Sequence, residues 1–404
     1  MSALRAAAAY VVALILLCCV SAKPAVPALG ATDQPQATQA KPGQAPKPEQ
    51  KPKPPKPPSA RMAEPWPDAA TLAKRRIEAE ERPLFQQSEP LAFTLTANLR
   101  EVNRDRDPDS TKTYPAVLAI PGAAGAAAAA PIEVTLQTRG ILRLNPRTCS
   151  FVPLRINFPK KAGKDTVFAG QDRLKLVTHC ENENLYDQYV LLEYLAYRIY
   201  NVLTPRSFRV RLARATYVDS ARGRTIATRN AVFIEDDDDL ARRMEGRSLE
   251  VPSLLFSDFD RNSLTSMMLF QYMIGNTDFS IYTLHNVRIL QTPAKILYPI
   301  IWDFDISGLV NPVYAIPDPR LKIADLRERL YRGPCRSMNE YEVALAVFRA
   351  KQAEVLALID SVPGLTEGSR RNAARYLGQF YSLLGDKNRL KRELVDKCVP
   401  KARM

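Results

Sequence analysis

The pattern of apolar and polar positions divides the chain into strand-like and helix-like stretches. Leu91–Leu95, Ala116–Ile120, Ile132–Thr138 and Leu154–Phe158 alternate or cluster β-formers between Pro, Gly and Asp breaks, and Leu174–Thr178 adds another short strand. Leu185, Tyr189, Leu192, Ala196 and Ile199 follow a 4-3-4-3 spacing, which predicts a helix with one apolar stripe. Phe208–Leu212 and Ala231–Ile234 read as strands around a turn at Asp219–Gly223, and Ser263–Ile274 as a markedly apolar helix. A polar loop, Gly275–Ser280, precedes the strands Val287–Leu290 and Ile296–Ile301. Tyr341–Ile359 and Arg371–Cys398 supply closing helices, and Ala69–Glu81 a polar one near the start. Ala-rich Gly122–Pro131, set between breakers, reads as a hairpin loop.

This order predicts an α+β, two-lobed fold with a cleft between the lobes. The β-rich N-terminal lobe with one long helix spans 68–250, and the helical C-terminal lobe spans 251–404. Two segments precede them. Arg5, the apolar stretch Ala6–Val20 and the small residues Val20-Ser21-Ala22 form an export signal over 1–22, with cleavage expected after Ala22. Residues 23–67 hold 13 Pro in 45 positions with Lys-Pro alternation, an extended disordered spacer that favours polyproline II. The chain is therefore expected in the periplasm or outside the cell, and membrane-anchored if the signal is retained. The spacer suggests peripheral association with a membrane or wall.

Composition narrows the class. The 404 residues are 46% hydrophobic and 25% charged, which excludes a wholly disordered chain. The formal charge is +14, but residues 1–67 carry eight Lys/Arg against three Asp/Glu, so the excess elsewhere is modest. No basic stripe with interleaved aromatics marks a nucleic-acid groove, and nucleic acid is not an expected partner. Two histidines are too few for a His-rich metal site. Without the signal four cysteines remain, and an even count in an exported chain favours disulfides over buried thiols. Proximity in the expected topology favours Cys149–Cys180 and Cys335–Cys398.

The candidate chemistry lies in Gly275-Asn276-Thr277-Asp278, His285-Asn286 and Trp302-Asp303-Phe304-Asp305. One carboxylate to accept a hydroxyl proton, with an amide oxygen and further carboxylates on Mg²⁺, is the set that phosphoryl transfer needs. The order Asp, Asn, strand-end Asp resembles that of kinases, although His-Arg-Asp, Asp-Phe-Gly and a Gly-rich phosphate loop are missing. Turn-forming Asp and Asn are the competing explanation.

From about Ile132 to Asn311 the chain resembles the spore-coat protein H (CotH) kinase-like family of atypical protein kinases. The resemblance rests on Thr138-Arg139-Gly140, Leu174-Lys175-Leu176-Val177, Glu193-Tyr194-Leu195-Ala196-Tyr197 and Phe233-Ile234-Glu235. Its most specific parts are the Asn276-Thr277-Asp278…His285-Asn286 loop and the Trp302-Asp303-Phe304-Asp305 strand end. It implies ATP-dependent transfer of phosphate to a protein hydroxyl, with Mg²⁺ or Mn²⁺. Asp278 would be the catalytic base, Asn286 and Asp303 the metal ligands, and Asp305 a supporting or second-metal carboxylate. Lys175 would contact nucleotide phosphates with Glu235 as its orienting carboxylate, and Arg155 is a further basic candidate. After Arg139-Gly140 the chain has Ile141-Leu142-Arg143 where the family has small polar residues.

Several of these residues also have plainer readings. Lys175 alternates with Leu174 and Leu176, so it is expected to point into the cleft or into water. By the same alternation Asp305 should share Asp303's strand face. Glu235–Asp239 is a run of five acids, usually a solvated segment. His285 reads as a hydrogen-bonded loop residue, Trp302 as core and His179 as structural. The alternative function is a catalytically inactive descendant, acting as an envelope or surface binding and assembly module. A carboxylate-dependent glycosyl-processing enzyme is a third class. The kinase-like reading requires Asp278, Asn286 and Asp303 to lie within roughly a dozen ångströms, about twice what a shared Mg²⁺ and its waters bridge.

Overall fold

The computed structural model describes residues 58–122, 129–160 and 162–400. The expected signal (1–22), most of the expected spacer and residues 123–128 of the Ala-rich loop lie outside the described residues. The first half contains α1 (Pro58–Ala63), α2 (Ala69–Glu80), β1 (Leu91–Ala97), α3 (Leu99–Val102), β2 (Tyr114–Ala119), β3 (Ile132–Thr138), β4 (Leu154–Asn157) and β5 (Arg173–Val177). There follow α4 (Asn184–Leu203), β6 (Val210–Asp219), β7 (Arg224–Ile234), α5 (Asp237–Arg243) and β8 (Arg247–Leu249). The second half has α6 (Arg261–Ile274), β9 (Val287–Gln291), β10 (Leu297–Ile301), α7 (Met338–Ala350), α8 (Gln352–Ser361), α9 (Glu367–Leu384) and α10 (Lys387–Leu394).

Seven strands close into a mixed barrel in the order β1-β2-β3-β4-β5-β7-β6. The last seam is parallel, running from Leu91↔Ala213 to Ala97↔Asp219. Alternate residues of each strand fill the interior, as Leu91, Phe93, Leu95 and Ala97 do on β1. Aromatic rings complete the packing, with Phe93–Phe233 at 5.1 Å and Phe168–Phe233 at 5.4 Å. A second core gathers α4, the sheet β10-β9-β8 and the C-terminal helices. Helix α4 is buried at every position from Tyr189 to Tyr197 because it packs on β6 and β7 as well as on α8 and α9. The three-stranded sheet joins residues on both sides of position 250, since β8 pairs with β9.

The barrel corrects the expected fold class. In place of a two-lobed α+β kinase-like architecture, the strands close on themselves into a barrel, beside ten helices among the described residues. The local pattern of each strand is compatible with either arrangement. Closure depends on β1 pairing with β6, more than a hundred residues away, and periodicity carries no information about such a pairing.

The acidic run also differs from expectation. Asp236 caps α5 by accepting from the Asp238 N–H, and Asp237, Asp238 and Asp239 occupy the first turn, where the helix dipole favours negative charge. Each acid finds a base. Asp236 lies 3.7 Å from Arg173, Asp237 2.6 Å from Lys175 and 3.1 Å from Arg288, and Asp238 2.5 Å from Arg61. Asp239 is 3.2 Å from Arg82 and 2.6 Å from Arg242. Fully buried Glu235 sits 2.8 Å from both Arg209 and Arg243. The end of the expected spacer joins the same region. Arg247 donates to the Arg61 and Glu64 carbonyls, and its guanidinium lies 3.6 Å from the Trp66 ring centroid.

Cys149–Cys180 and Cys335–Cys398 are both disulfide-bonded. They fit an oxidising compartment and hence an exported protein. Among the described residues no helix is long and apolar enough to cross a membrane.

Removing Glu235 strands two arginines with little exposure. Glu235→Ala is therefore expected to cost about 3–5 kcal/mol, read as a lowered denaturant midpoint. An unchanged midpoint would show that the two guanidiniums find other partners.

Candidate functional site

Helix α6 ends at Gly275, whose φ of 66° is left-handed and where an added Cβ would lie 2.0 Å from the Tyr376 hydroxyl. Only glycine fits this turn. It directs Asn276-Thr277-Asp278 out of the helix, and buried Asn276 fixes the bend by accepting the Asp278 N–H at 2.9 Å. Arg332 holds the same loop from outside by donating to the Thr277 and Phe279 carbonyls.

The loop then folds back, with the Ser280 N–H donating to the His285 carbonyl at 2.9 Å. This brings His285 Nε2 within 2.8 Å of Asp278 Oδ1. Asn286 Nδ2 donates to the Asp278 carbonyl at 2.8 Å and to its Oδ2 at 3.1 Å. The Asp278 carboxylate is thus gripped at both oxygens, while the Asn286 amide keeps its Oδ1 as an acceptor. Leu284 (φ 57°) and Asn286 (φ 54°) are left-handed, which lets the chain reverse into β9.

The β9–β10 register aligns Val287 with Ile301, so the next residue pair across the hairpin is Asn286 and Trp302. The Trp302 N–H donates to the Asn286 carbonyl at 3.2 Å. Asp303 follows in a left-handed conformation (φ 65°), its N–H held at 2.8 Å by the Tyr197 hydroxyl from α4. Strand β10 ends at Ile301, so strand alternation does not govern Asp303 and Asp305. Buried Asp305 nevertheless hydrogen-bonds Asp303, and its carboxyl is pushed up to about 7 by burial and then by the Asp303 charge.

Two residues that had no site role in the sequence reading, one acid and one base, lie beside these carboxylates. Glu193 on α4 is 2% exposed, and burial, with Asp305 and Asp303 next in importance, holds its carboxyl well above the ordinary range. Arg143, 8% exposed, donates to the Thr178 carbonyl at 2.6 Å and the His179 carbonyl at 3.0 Å, and its charge opposes both upward shifts. A signal for Glu193 existed, since a lone carboxylate amid the apolar run of a buried helix costs several kcal/mol unless a partner awaits it.

A basic group surrounds the neighbouring residue, Trp302. The Trp302 ring is flanked by Lys175 at 5.1 Å, Arg288 at 5.3 Å and Arg139 at 5.6 Å. Arg155 is paired in register with Lys175 across β4 and β5. Burial, then the charges of Arg139 and Arg173, lower the Arg155 guanidinium from its ordinary value. Lys175 is 5% exposed and bound to Asp237, so it is neither in water nor oriented by Glu235, which is committed to Arg209 and Arg243. Burial lowers the Lys175 ammonium. Burial also raises Asp237, but Lys175 and Arg288 outweigh it and hold that carboxyl at about 2.

Among the described residues no group of three or more His, Cys, Asp and Glu could hold a metal ion by itself. Asp303 and the Asn286 amide oxygen offer two hard donors, which fits a Mg²⁺ delivered on phosphates, because Mg²⁺ usually takes one or two carboxylates and keeps waters and substrate oxygens. Acids gather around Asp303 and bases around Trp302, an arrangement suited to a polyphosphate with its cation. His179, 2% exposed between Phe151 and Tyr217, is lowered to about 3 by burial and by Arg143 and Arg229, which fits a structural role. The chain matches no protein-family model, and a search of curated proteins finds no match.

The Asp278 hydrogen bond raises His285 above its ordinary value against the opposing effect of burial. A raised histidine contributes stability that is complete below about pH 6.5 and is lost as pH rises through the folded-state value. With two histidines in the chain, NMR titration should show one imidazole silent through neutral pH and one titrating above about 6.5. Asp278→Asn should return the second to the ordinary range. A His285 midpoint at or below that range would contradict the pairing.

Proposed function

We propose that the chain is an exported phosphotransferase that moves the terminal phosphoryl group of Mg²⁺-bound ATP to a protein hydroxyl. The observation that carries this reading is the contact of Asp278 with Asn286, set beside the Trp302–Asp303 segment, with Lys175 close to the Trp302 ring and Asp305 close to Asp303. The resemblance of these motifs to the CotH kinase-like family supports the same chemistry.

Asp278 accepts the proton of the attacking hydroxyl as the new O–P bond forms and the bond to the departing nucleoside diphosphate breaks. His285 and Asn286 aim the carboxylate by holding its two oxygens separately. Asn286 and Asp303 hold the Mg²⁺, with Asp305 in support. When bound, the ion neutralises charge on the phosphates. Arg155, Lys175 and Arg139 face the phosphates, and Asp237 rather than Glu235 sets the position of Lys175. The protein substrate is met in the periplasm or outside the cell, with the N-terminal spacer linking the folded part to a membrane or wall.

One observation favours the second reading, a catalytically inactive envelope or surface binding module. Lys175 is already neutralised by Asp237 at 2.6 Å and lies over Trp302, so it reaches phosphate only by sharing that acid.

Thermal unfolding with ATP and Mg²⁺ separates the two. At a hundredfold excess over Kd a nucleotide stabilises the protein by about 2.7 kcal/mol, whereas the binding module should show no shift at millimolar ATP. Autophosphorylation with labelled ATP should appear in the wild type and vanish in Asp278→Ala while the nucleotide shift survives. Equal labelling of both proteins would remove Asp278 from the base role.

A further inference from the structure

A cleft of about 390 Å³ is lined by the last turns of α4, the start of β6, the end of α5 and the chain before β1. Arg198, Arg209 and Arg243 are its charged residues, Gln87, Asn201 and Ser207 stand among its polar ones, and no Asp or Glu lines it. Fully buried Glu235 accepts from both Arg209 and Arg243, and neighbouring Asp239 is taken by Arg82 and Arg242. Arg198 has no acid partner among the described residues; its one hydrogen bond runs from Nη1 to the Tyr194 hydroxyl at 2.7 Å. Its Nε and Nη2, with Nη1 of Arg243, meet no acceptor among the described residues and stay open to solvent. Three guanidiniums against the one carboxylate of Glu235 leave two positive charges in excess. Two of the three are fixed before any ligand arrives. Arg209 donates to the Ala79 and Glu80 carbonyls and lies 5.0 Å from the Phe85 ring centroid, and Arg243 donates to the Ser207 carbonyl.

We infer that this cleft binds a small phosphate monoester through Arg198 and Arg243. A phosphate monoester is close to a dianion at neutral pH, so its charge matches the excess, whereas a monocarboxylate leaves one cation unmet. Guanidinium forks fit phosphate oxygens in pairs, and Arg198 has two free nitrogens to offer. The cleft is larger than a phosphate group and falls in the size range of small-molecule sites. The remaining space therefore receives the alcohol half of the ester. Asn201 spends its Nδ2 on Ser207 and Phe208, which leaves Oδ1 to accept from a ligand hydroxyl. A soluble ester such as glycerol phosphate and the headgroup of phosphatidic acid present the same chemistry. No residue of the cleft belongs to the Asp278–Asn286–Asp303 site or to the bases around Trp302, so the inference does not depend on phosphoryl transfer.

The test titrates the purified full chain with glycerol phosphate and with acetate by calorimetry, without nucleotide or divalent cation and at constant ionic strength. Phosphatidylcholine vesicles with and without phosphatidic acid are sedimented with the protein in parallel. Glycerol phosphate or the phosphatidic acid vesicles should bind the wild type, and Arg198→Gln should weaken that binding at least tenfold at an unchanged ligand-free melting temperature. Arg198→Lys, which keeps the charge and loses the fork, should fall between the two, and acetate should bind at least tenfold more weakly than glycerol phosphate. Arg155→Gln, which changes the candidate site instead, should bind like the wild type. Capture only by vesicles that carry phosphatidic acid, lost in Arg198→Gln, identifies a lipid headgroup; binding of glycerol phosphate without vesicle capture identifies a soluble ester. Wild-type affinity in Arg198→Gln, loss of binding in Arg155→Gln, equal affinity for acetate, or no binding of either phosphate probe overturns the inference. Glycerol phosphate binding without an ATP-dependent shift would sink the phosphotransferase reading and leave this one standing.

Discussion

Glu235 to Asp239 place five carboxylates on consecutive residues, and the surrounding fold is arranged so that each meets a base. Those bases arrive from separate parts of the chain: Arg61 and Arg82 from the N-terminal segment, Arg173, Lys175 and Arg209 from the barrel region, and Arg288 from β9. The run is thus the joint at which the strap of residues 58–82, the barrel and the three-stranded sheet are held in register. Its buried members, Glu235 and Asp239, carry most of the constraint, since exposed pairs such as Arg61–Asp238 are worth little after solvent screening.

The candidate site inherits its geometry from that joint. Asp237 holds Lys175 from β5 and Arg288 from β9, and both cations lie over the Trp302 ring. One carboxylate therefore fixes the barrel wall against the hairpin that ends in Asp303. Left-handed backbone at Gly275, Asn286 and Asp303 then places the polar groups, each in a conformation that glycine, asparagine or aspartate tolerates better than other residues. Residue choice at these three positions is set by the turn as well as by the chemistry.

Much of the secondary structure was legible because it is a local property. The apolar stripe of α4, the alternation of β1 to β5 and the apolar α6 are all written in consecutive residues. The parallel β1–β6 seam was not legible, and without it the expected fold class was two-lobed α+β instead of barrel-containing. Helix α5 was missed for an electrostatic reason: a run of like charges signals repulsion until its partners, tens of residues or more away in sequence, are known. Asp278, Asn286 and Asp303 stood out through residue type and order. Glu193 entered only as part of a helix motif, because one polar residue in an apolar run leaves the helical periodicity unchanged, and burial is what gives its carboxyl meaning.

Lys175 shows how charge balance bears on the proposed chemistry. Its ammonium is buried, so it always requires an anion, and Asp237 supplies it. Approach of a phosphate would replace one anion by another at nearly constant local charge, with Arg288 remaining to keep Asp237 from being stranded. The exchange costs far less than releasing a free buried lysine, where the desolvation penalty has no compensation. A lysine held in this way is therefore compatible with phosphate binding. What distinguishes a working site from an inert one is the second cation: Arg155, already lowered by burial and by like charges from Arg139 and Arg173, gains most when an anion enters between them.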